Sequence, residues 1–250
     1  MGGYYAEKLS GRRLQRCYEI APPRVRQYLE AEIRHAMSRM GQEDVVLELG
    51  CGYGRVARRI AESVGPVAGI DNAPASIELA RELAGEGERC VYEVMNALDM
   101  RYPDDAFDAV LCLQNGICAF GVDQTALVRE ALRVTRPGGL LLLSSYADAF
   151  WSQRLAWFEA QAEEGLLGPV DHAASRDGFI VCGDGFRAGR MTPDGFRGLC
   201  AMVGVVPEIH EVDGSFVVCD IRKPRPAPDS LSGSMDREDL FPGRGEGWAG

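Results

Sequence analysis

Glycines stand at alternate positions in Leu47-Glu48-Leu49-Gly50-Cys51-Gly52-Tyr53-Gly54, directly after an apolar run. That spacing permits a sharp turn and lets a ligand touch the backbone. The helix start that follows offers N–H groups with no partner inside the helix. A dinucleotide-binding loop would read GxGxxG and place its third glycine at 55. Here the third glycine is Gly54 and position 55 is Arg55, which argues against NAD or FAD. Glu48 precedes the turn, and Asp71 closes the next apolar run. Further polar groups end later runs: Gln114 and Asn115 follow Leu113, and Tyr146 follows Ser145.

Elements that could hold these groups are legible in the apolar spacing. Val45–Leu49, Val67–Ile70, Cys90–Met95, Phe107–Leu113 and Leu140–Ser145 read as buried strands. Helical patterns separate them, at 55–63, 75–84 and from an Asp123 N-cap to about Val134. Arg136-Pro137-Gly138-Gly139 reads as a turn. Strands apolar on both faces and divided by helices predict a parallel sheet covered on both sides. Two helical stretches precede the first strand, around 9–20 and from Pro22-Pro23 to a stop at Gly41. After the fifth strand come an amphipathic stretch at 150–164 and a hairpin around Gly183-Asp184-Gly185. Thr192-Pro193-Asp194 then opens a helix, and two last strands meet at an Asp213-Gly214 turn. The expectation is an α/β fold: a Rossmann-like, seven-stranded, mostly parallel sheet with helices on both faces. It divides into an N-terminal helical cap or lid (1–43), a main domain (44–222) with a substrate-side insertion (146–190), and a disordered tail (223–250).

Glu48-x-Gly50-x-Gly52-x-Gly54 resembles the first motif of class I S-adenosylmethionine-dependent methyltransferases. Gly69-Ile70-Asp71 is similar to that family's second-strand acidic end. Asn96-Ala97-Leu98-Asp99 through Phe107-Asp108 is similar to its third loop and fourth strand, and Arg136-Pro137-Gly138-Gly139 to its fifth-strand lead-in. The resemblance covers 44–146 and, more loosely, 192–221. It implies S-adenosylmethionine as cofactor, with Gly50, Cys51, Gly52 and Gly54 against it. Asp71 would take both ribose hydroxyls, since a carboxylate accepts two bonds. Glu48 would lie near the ammonium, Asn72 beside the adenine and Asn96 at the adenine amino group, with Ala97 also against the cofactor. The family often has Asp where Asn96 stands; its carbonyl can accept the same hydrogen bond. Gln114 and Asn115 would face the crevice where sulfonium and acceptor meet.

The implied reaction is an in-line displacement, in which alignment of the acceptor and exclusion of water matter most. The Asn/Asp-Pro-Pro-Tyr motif of nucleic-acid amino methylation is absent, the chain running Leu113-Gln114-Asn115-Gly116. His172 and Tyr146 are the candidates for catalytic contact with the acceptor. Tyr4 and Tyr5 are placed on the substrate side, in a segment that either folds over the cofactor or frays. The Trp151/Trp157/Phe158 face reads as core or dimer contact, with a wall of the substrate pocket as the alternative, and His35 and His210 lie in patterns remote from the crevice.

Composition narrows the acceptor. The formal net charge is −10, from 27 basic and 37 acidic residues, and an acidic balance disfavours nucleic acid, whose phosphates need a basic surface. A small-molecule acceptor is expected. The alternatives are a methyltransferase acting on RNA or protein, and a catalytically inactive cofactor-binding module. Eight cysteines form no CxxC pair and no zinc-like His spacing, so no metal is expected and the thiols read as free and buried. That usage, with no signal sequence and no apolar run of about 20 residues, predicts a cytoplasmic chain with no membrane contact. A monomer or homodimer is expected.

Overall fold

A computed structural model describes residues 3–85 and 87–225; the expected tail lies outside them from 226 onward. The chain opens with three helices, α1 (Tyr4–Lys8), α2 (Gly11–Glu19) and α3 (Pro23–Ser38). α3 begins on Pro23, where a missing N–H costs nothing. Its residues Val25, Tyr28, Leu29, Ile33 and Ala36 recur on one face, all buried.

The apolar runs then build β1 (Val46–Leu49), β2 (Val67–Asp71), β3 (Cys90–Val94), β4 (Phe107–Cys112) and β5 (Thr135–Tyr146). Helices α4 (Arg55–Ala61), α5 (Pro74–Leu83), α6 (Gly116–Ala119) and α7 (Gln124–Val134) connect them. α7 is capped by the Asp123 carboxylate, which accepts from the Ala126 amide at 3.0 Å. Beyond β5 lie α8 (Trp151–Glu163) and a two-stranded hairpin, β6 (Ile180–Val181) with β7 (Arg187–Ala188). α9 (Pro193–Val203) follows, capped by the Thr192 hydroxyl, and then β8 (Pro207–Val212) and β9 (Phe216–Arg222). Asp213 and Gly214 join the last pair with φ of 56° and 58°, the signature of a tight mirror-image turn.

Seven strands form one sheet in the order β3-β2-β1-β4-β5-β9-β8. The first five are parallel neighbours, and β9 inserts antiparallel beside β5, with β8 antiparallel at the edge. Alternate residues feed two cores. Val46, Ala109, Leu111 and Leu140 pack with α3, α4 and α5; Leu47, Val110, Leu141 and Leu143 pack with α7 and α9. α3 therefore belongs to the sheet's own core. A third cluster joins Leu9 and Cys17 to Phe158, Leu167, Ile180 and Phe186, so the N-terminal helices and the insertion share one small core above the sheet. Among the described residues no helix is long and apolar enough to cross a membrane.

One local expectation is corrected. Arg136-Pro137-Gly138-Gly139 is not a turn before the fifth strand; it is a bulge inside β5, where pairing jumps from Phe107↔Thr135 to Ala109↔Leu140. Arg136 there pairs with Asp108, a carboxylate buried in β4 that also accepts from the Val45 amide at 2.8 Å. A buried charge demands such a partner, and the bulge delivers it.

Candidate active site

The strand order reverses between β1 and β4, and a crevice opens beyond the carboxyl ends of such neighbours. The turn after β1 occupies it. Gly50, Gly52 and Gly54 have φ of 70°, 55° and 78°, a region that penalises any side chain. The Gly50 and Cys51 amides donate to the Ile70 carbonyl at 2.8 and 2.9 Å, so the turn curls over the end of β2. Asp71 is the last residue of β2. Its carboxylate accepts from the Gly52 amide at 3.0 Å and the Ala73 amide at 2.8 Å. Burial pushes its pKa up, and those amides work the other way.

Glu48, on β1, is 4% exposed and lines the same pocket. Burial raises its carboxyl to about 7, against the pull of Arg55. Arg55 opens α4 and lines the pocket too, its guanidinium 4.7 Å from the Tyr18 ring. Glu48 Oε2, Arg55 Nε, Arg55 Nη2 and Gln114 Nε2 are all buried without a hydrogen-bond partner, and no ion pair joins Glu48 to Arg55. Buried polar atoms of a carboxyl and a guanidinium, left without hydrogen-bond partners beside one cavity, cost stability unless a ligand satisfies them. An amino acid's ammonium and carboxylate match that donor and acceptor set. Asn72, Asn96 and Ala97 line the cavity beside them.

The roof comes from elsewhere in the chain. Tyr5, Leu9, Leu14 and Tyr18 reach over from α1 to α2, and Trp157, Phe158 and Gln161 from α8. Phe120, after α6, lies where a Cβ on Gly50 would stand, and Leu14 where one on Gly52 would.

Residues 46–139 match the family model of a methyltransferase domain. That segment carries the glycine turn and Asp71, and what it resembles is the S-adenosylmethionine-dependent methyltransferases. The chain is 30% identical over 175 residues to the 2-methyl-6-phytyl-1,4-hydroquinone methyltransferase of Synechocystis, covering 63% of this chain and 53% of that one. It is 35% identical over 107 residues to the 27-O-demethylrifamycin SV methyltransferase of Amycolatopsis mediterranei, covering 41% and 39%. The match thus spans about half or less of these curated relatives' length. The fold is also that of the Burkholderia thailandensis 1,6-didemethyltoxoflavin-N1-methyltransferase, solved with bound 1,6-didemethyltoxoflavin and S-adenosylhomocysteine. That likeness has a TM-score of 0.54 at 17% identity and covers 84% of this chain and 87% of that one.

In this chain the pocket gathers Glu48, Gly50, Cys51, Gly52, Asp71, Asn72, Asn96, Ala97 and Gln114, with Tyr5 and Tyr146. Gly54 stands behind the turn, where a Cβ would meet the Tyr92 hydroxyl at 2.7 Å. Three expected site residues lie elsewhere. His172 is exposed on the insertion, with Nε2 3.5 Å from Glu159. Asn115 is buried as a brace: its amide donates to the Gly189 carbonyl at 3.0 Å and accepts from the Ser145 hydroxyl at 2.6 Å. Tyr4 donates to Asp184 and ties α1 to the β6–β7 hairpin. Arg55, Tyr18 and Gln161 also line the pocket, beyond the residues that the sequence pattern points to, and Trp157 and Phe158 take the pocket-wall alternative. For Arg55 a signal existed, a charged residue on the glycine turn's last flank. A second charged group, Glu208, His210 and Asp220, sits at the sheet edge, where Arg39 pairs with both carboxylates.

Proposed function

We propose that this chain is a class I S-adenosylmethionine-dependent methyltransferase, moving a methyl group from S-adenosylmethionine to a small-molecule acceptor. The observation that carries the reading is the set of buried, unpartnered atoms Glu48 Oε2, Arg55 Nε and Arg55 Nη2 beside a glycine turn that also holds Asp71. The bound cofactor supplies an electrophilic methyl on a sulfonium. Asp71 would accept from the ribose hydroxyls, Glu48 would hold the ammonium and Arg55 the carboxylate, each a charge-assisted bond. Asn72, Asn96 and Ala97 would line the adenine. Tyr5, Tyr18, Phe120 and Trp157 exclude water, and Gln114, held by the Tyr18 hydroxyl at 2.7 Å, fixes the floor where donor and acceptor align. Tyr146 is buried at the pocket's inner wall, its phenol pushed up to about 12 by burial, and so offers a hydroxyl rather than a base.

Support for a small acceptor is the roof over the pocket, the acidic balance of the chain, and relatives whose names specify a hydroquinone and a rifamycin. In-line displacement suits such an enclosed cavity. The described cysteines are all free, in keeping with a cytoplasmic enzyme. Thermal unfolding tests the cofactor: S-adenosylhomocysteine should raise the melting temperature through mass action, and NAD should not. Incorporation of labelled methyl from S-adenosylmethionine into a metabolite extract tests the transfer; label appearing only in RNA or protein would overturn the small-molecule assignment.

A further inference from the structure

A second cleft lies under the insertion, and Tyr146 lines both it and the cofactor pocket. Its other walls include Trp151, Arg154, Arg176, Asp177 and Arg190. Arg154 is 1% exposed and yet has no carboxylate partner among the described residues. Its Nη1 donates to the Gly178 carbonyl at 2.8 Å, and its Nη2 to the Ala188 and Gly189 carbonyls at 2.8 and 2.9 Å. Its Nε is buried with no partner. The guanidinium lies 4.3 Å from the centre of the Tyr146 ring. A buried guanidinium satisfied only by neutral groups carries a desolvation cost that an anion would offset.

Resting on the methyltransferase reading, we propose that this cleft holds the anionic end of the methyl acceptor, which is therefore a small organic acid. Arg154 binds its carboxylate or phosphoryl group through Nε. Tyr146 packs between that anion and the atom to be methylated, so one acceptor reaches from the cleft into the cofactor pocket. Asp177 stands against Arg176 and Asp148 pairs with Arg190, so the charge left over in the cleft is that of the buried Arg154. The insertion thus selects substrates by charge, and the sheet side binds the cofactor.

Calorimetry on the full chain saturated with S-adenosylhomocysteine tests this with benzoate, phenylphosphonate and neutral benzamide. At least one anion should bind about tenfold or more tightly than benzamide, the scale of one charge-assisted bond. Benzoate and phenylphosphonate separate a carboxylate from a phosphoryl preference. Arg154→Gln should bring the anion down to benzamide's level and leave S-adenosylhomocysteine affinity unchanged. Equal binding of anion and benzamide, no anion binding, or full anion binding by the folded Arg154→Gln variant would each overturn the proposal. If Arg154→Gln does not fold, Arg176→Glu replaces it: anion affinity should fall several-fold, and unchanged affinity would overturn the assignment. Failure of the wild-type chain to bind S-adenosylhomocysteine would instead remove the methyltransferase reading itself.

Discussion

Ser144, on β5, donates its hydroxyl to Glu32 of α3 at 2.6 Å, in a place where neither residue is reached by water. The same Glu32 oxygen accepts from the Gln114 amide at 3.2 Å, and its other oxygen has no partner. One acid therefore links the N-terminal helix to the ends of two central strands, directly below the pocket floor.

That link is pH-sensitive. Burial raises Glu32 to about 7 from an ordinary 4.5. A carboxyl raised in the folded state binds more protons there than in the unfolded chain, so its contribution falls as pH rises from about 4.5 to 7. Glu48 shifts in the same window and direction. Glu32→Gln should flatten the decline in stability between pH 5 and 7.5, by an amount on the order of 2 kcal/mol, and Glu48 should account for what remains. Urea unfolding at several pH values measures it; an unchanged slope would show that Glu32 keeps its ordinary pKa.

Cofactor binding should follow the opposite trend. Ionised Glu48 is the form that holds an ammonium, so affinity for S-adenosylhomocysteine should rise as pH climbs through about 7. In Glu48→Gln the affinity should be lower by roughly tenfold or more at pH 8 and nearly flat with pH. Calorimetry from pH 6 to 8 reads both; a pH-independent wild type would remove Glu48 from the ammonium site.

Asp71→Ala should weaken S-adenosylhomocysteine by at least about tenfold, since two hydroxyl acceptors vanish. The same change frees the Gly52 and Ala73 amides, so the turn also loosens. Circular dichroism should stay unchanged, because Asp71 ends its strand. An unaltered dissociation constant would place the ribose elsewhere.

Deleting residues through 20 should abolish methyl transfer while the seven strands and α3 remain folded. The deletion removes Tyr5, Leu9, Leu14 and Tyr18 from the roof, and with Cys17 it removes the carbonyl that accepts from Trp157 Nε1 at 2.8 Å. Loss of that enclosure costs alignment of the acceptor more than it costs the fold. Labelled-methyl transfer and circular dichroism, measured together, decide it: an active truncated chain would refute the roof's role.

Much of this architecture is written locally. Val45 to Leu49 and Phe107 to Leu113 declare buried strands by composition, and Asp123, Thr192 and Asp213-Gly214 announce their caps and turn. What escaped local reading depends on distant partners. Arg136-Pro137-Gly138-Gly139 looks like a turn until Asp108 is known to be buried against it. Asn115 looked aimed at the crevice, but a φ of 64° turns it toward Ser145 and Gly189. His172 had suitable chemistry and no enclosing neighbours. Tyr4 and Tyr5 form a helix of their own, because Phe186, far along the chain, packs edge-on to both rings. Glu48, the glycine turn and Asp71 were legible because consecutive elements alone place them together.

The small core shared by Leu9, Cys17, Phe158 and Phe186 includes no residue of the seven-stranded sheet. Segments far apart in the chain must therefore open as one cooperative unit, at a free energy below that of global unfolding. Amide exchange in α2, α8 and the hairpin should share a single subglobal rate, faster than in β1 or β4. Leu9, Cys17 and Phe158 belong both to that core and to the pocket wall, so each such opening also bares the cavity to water.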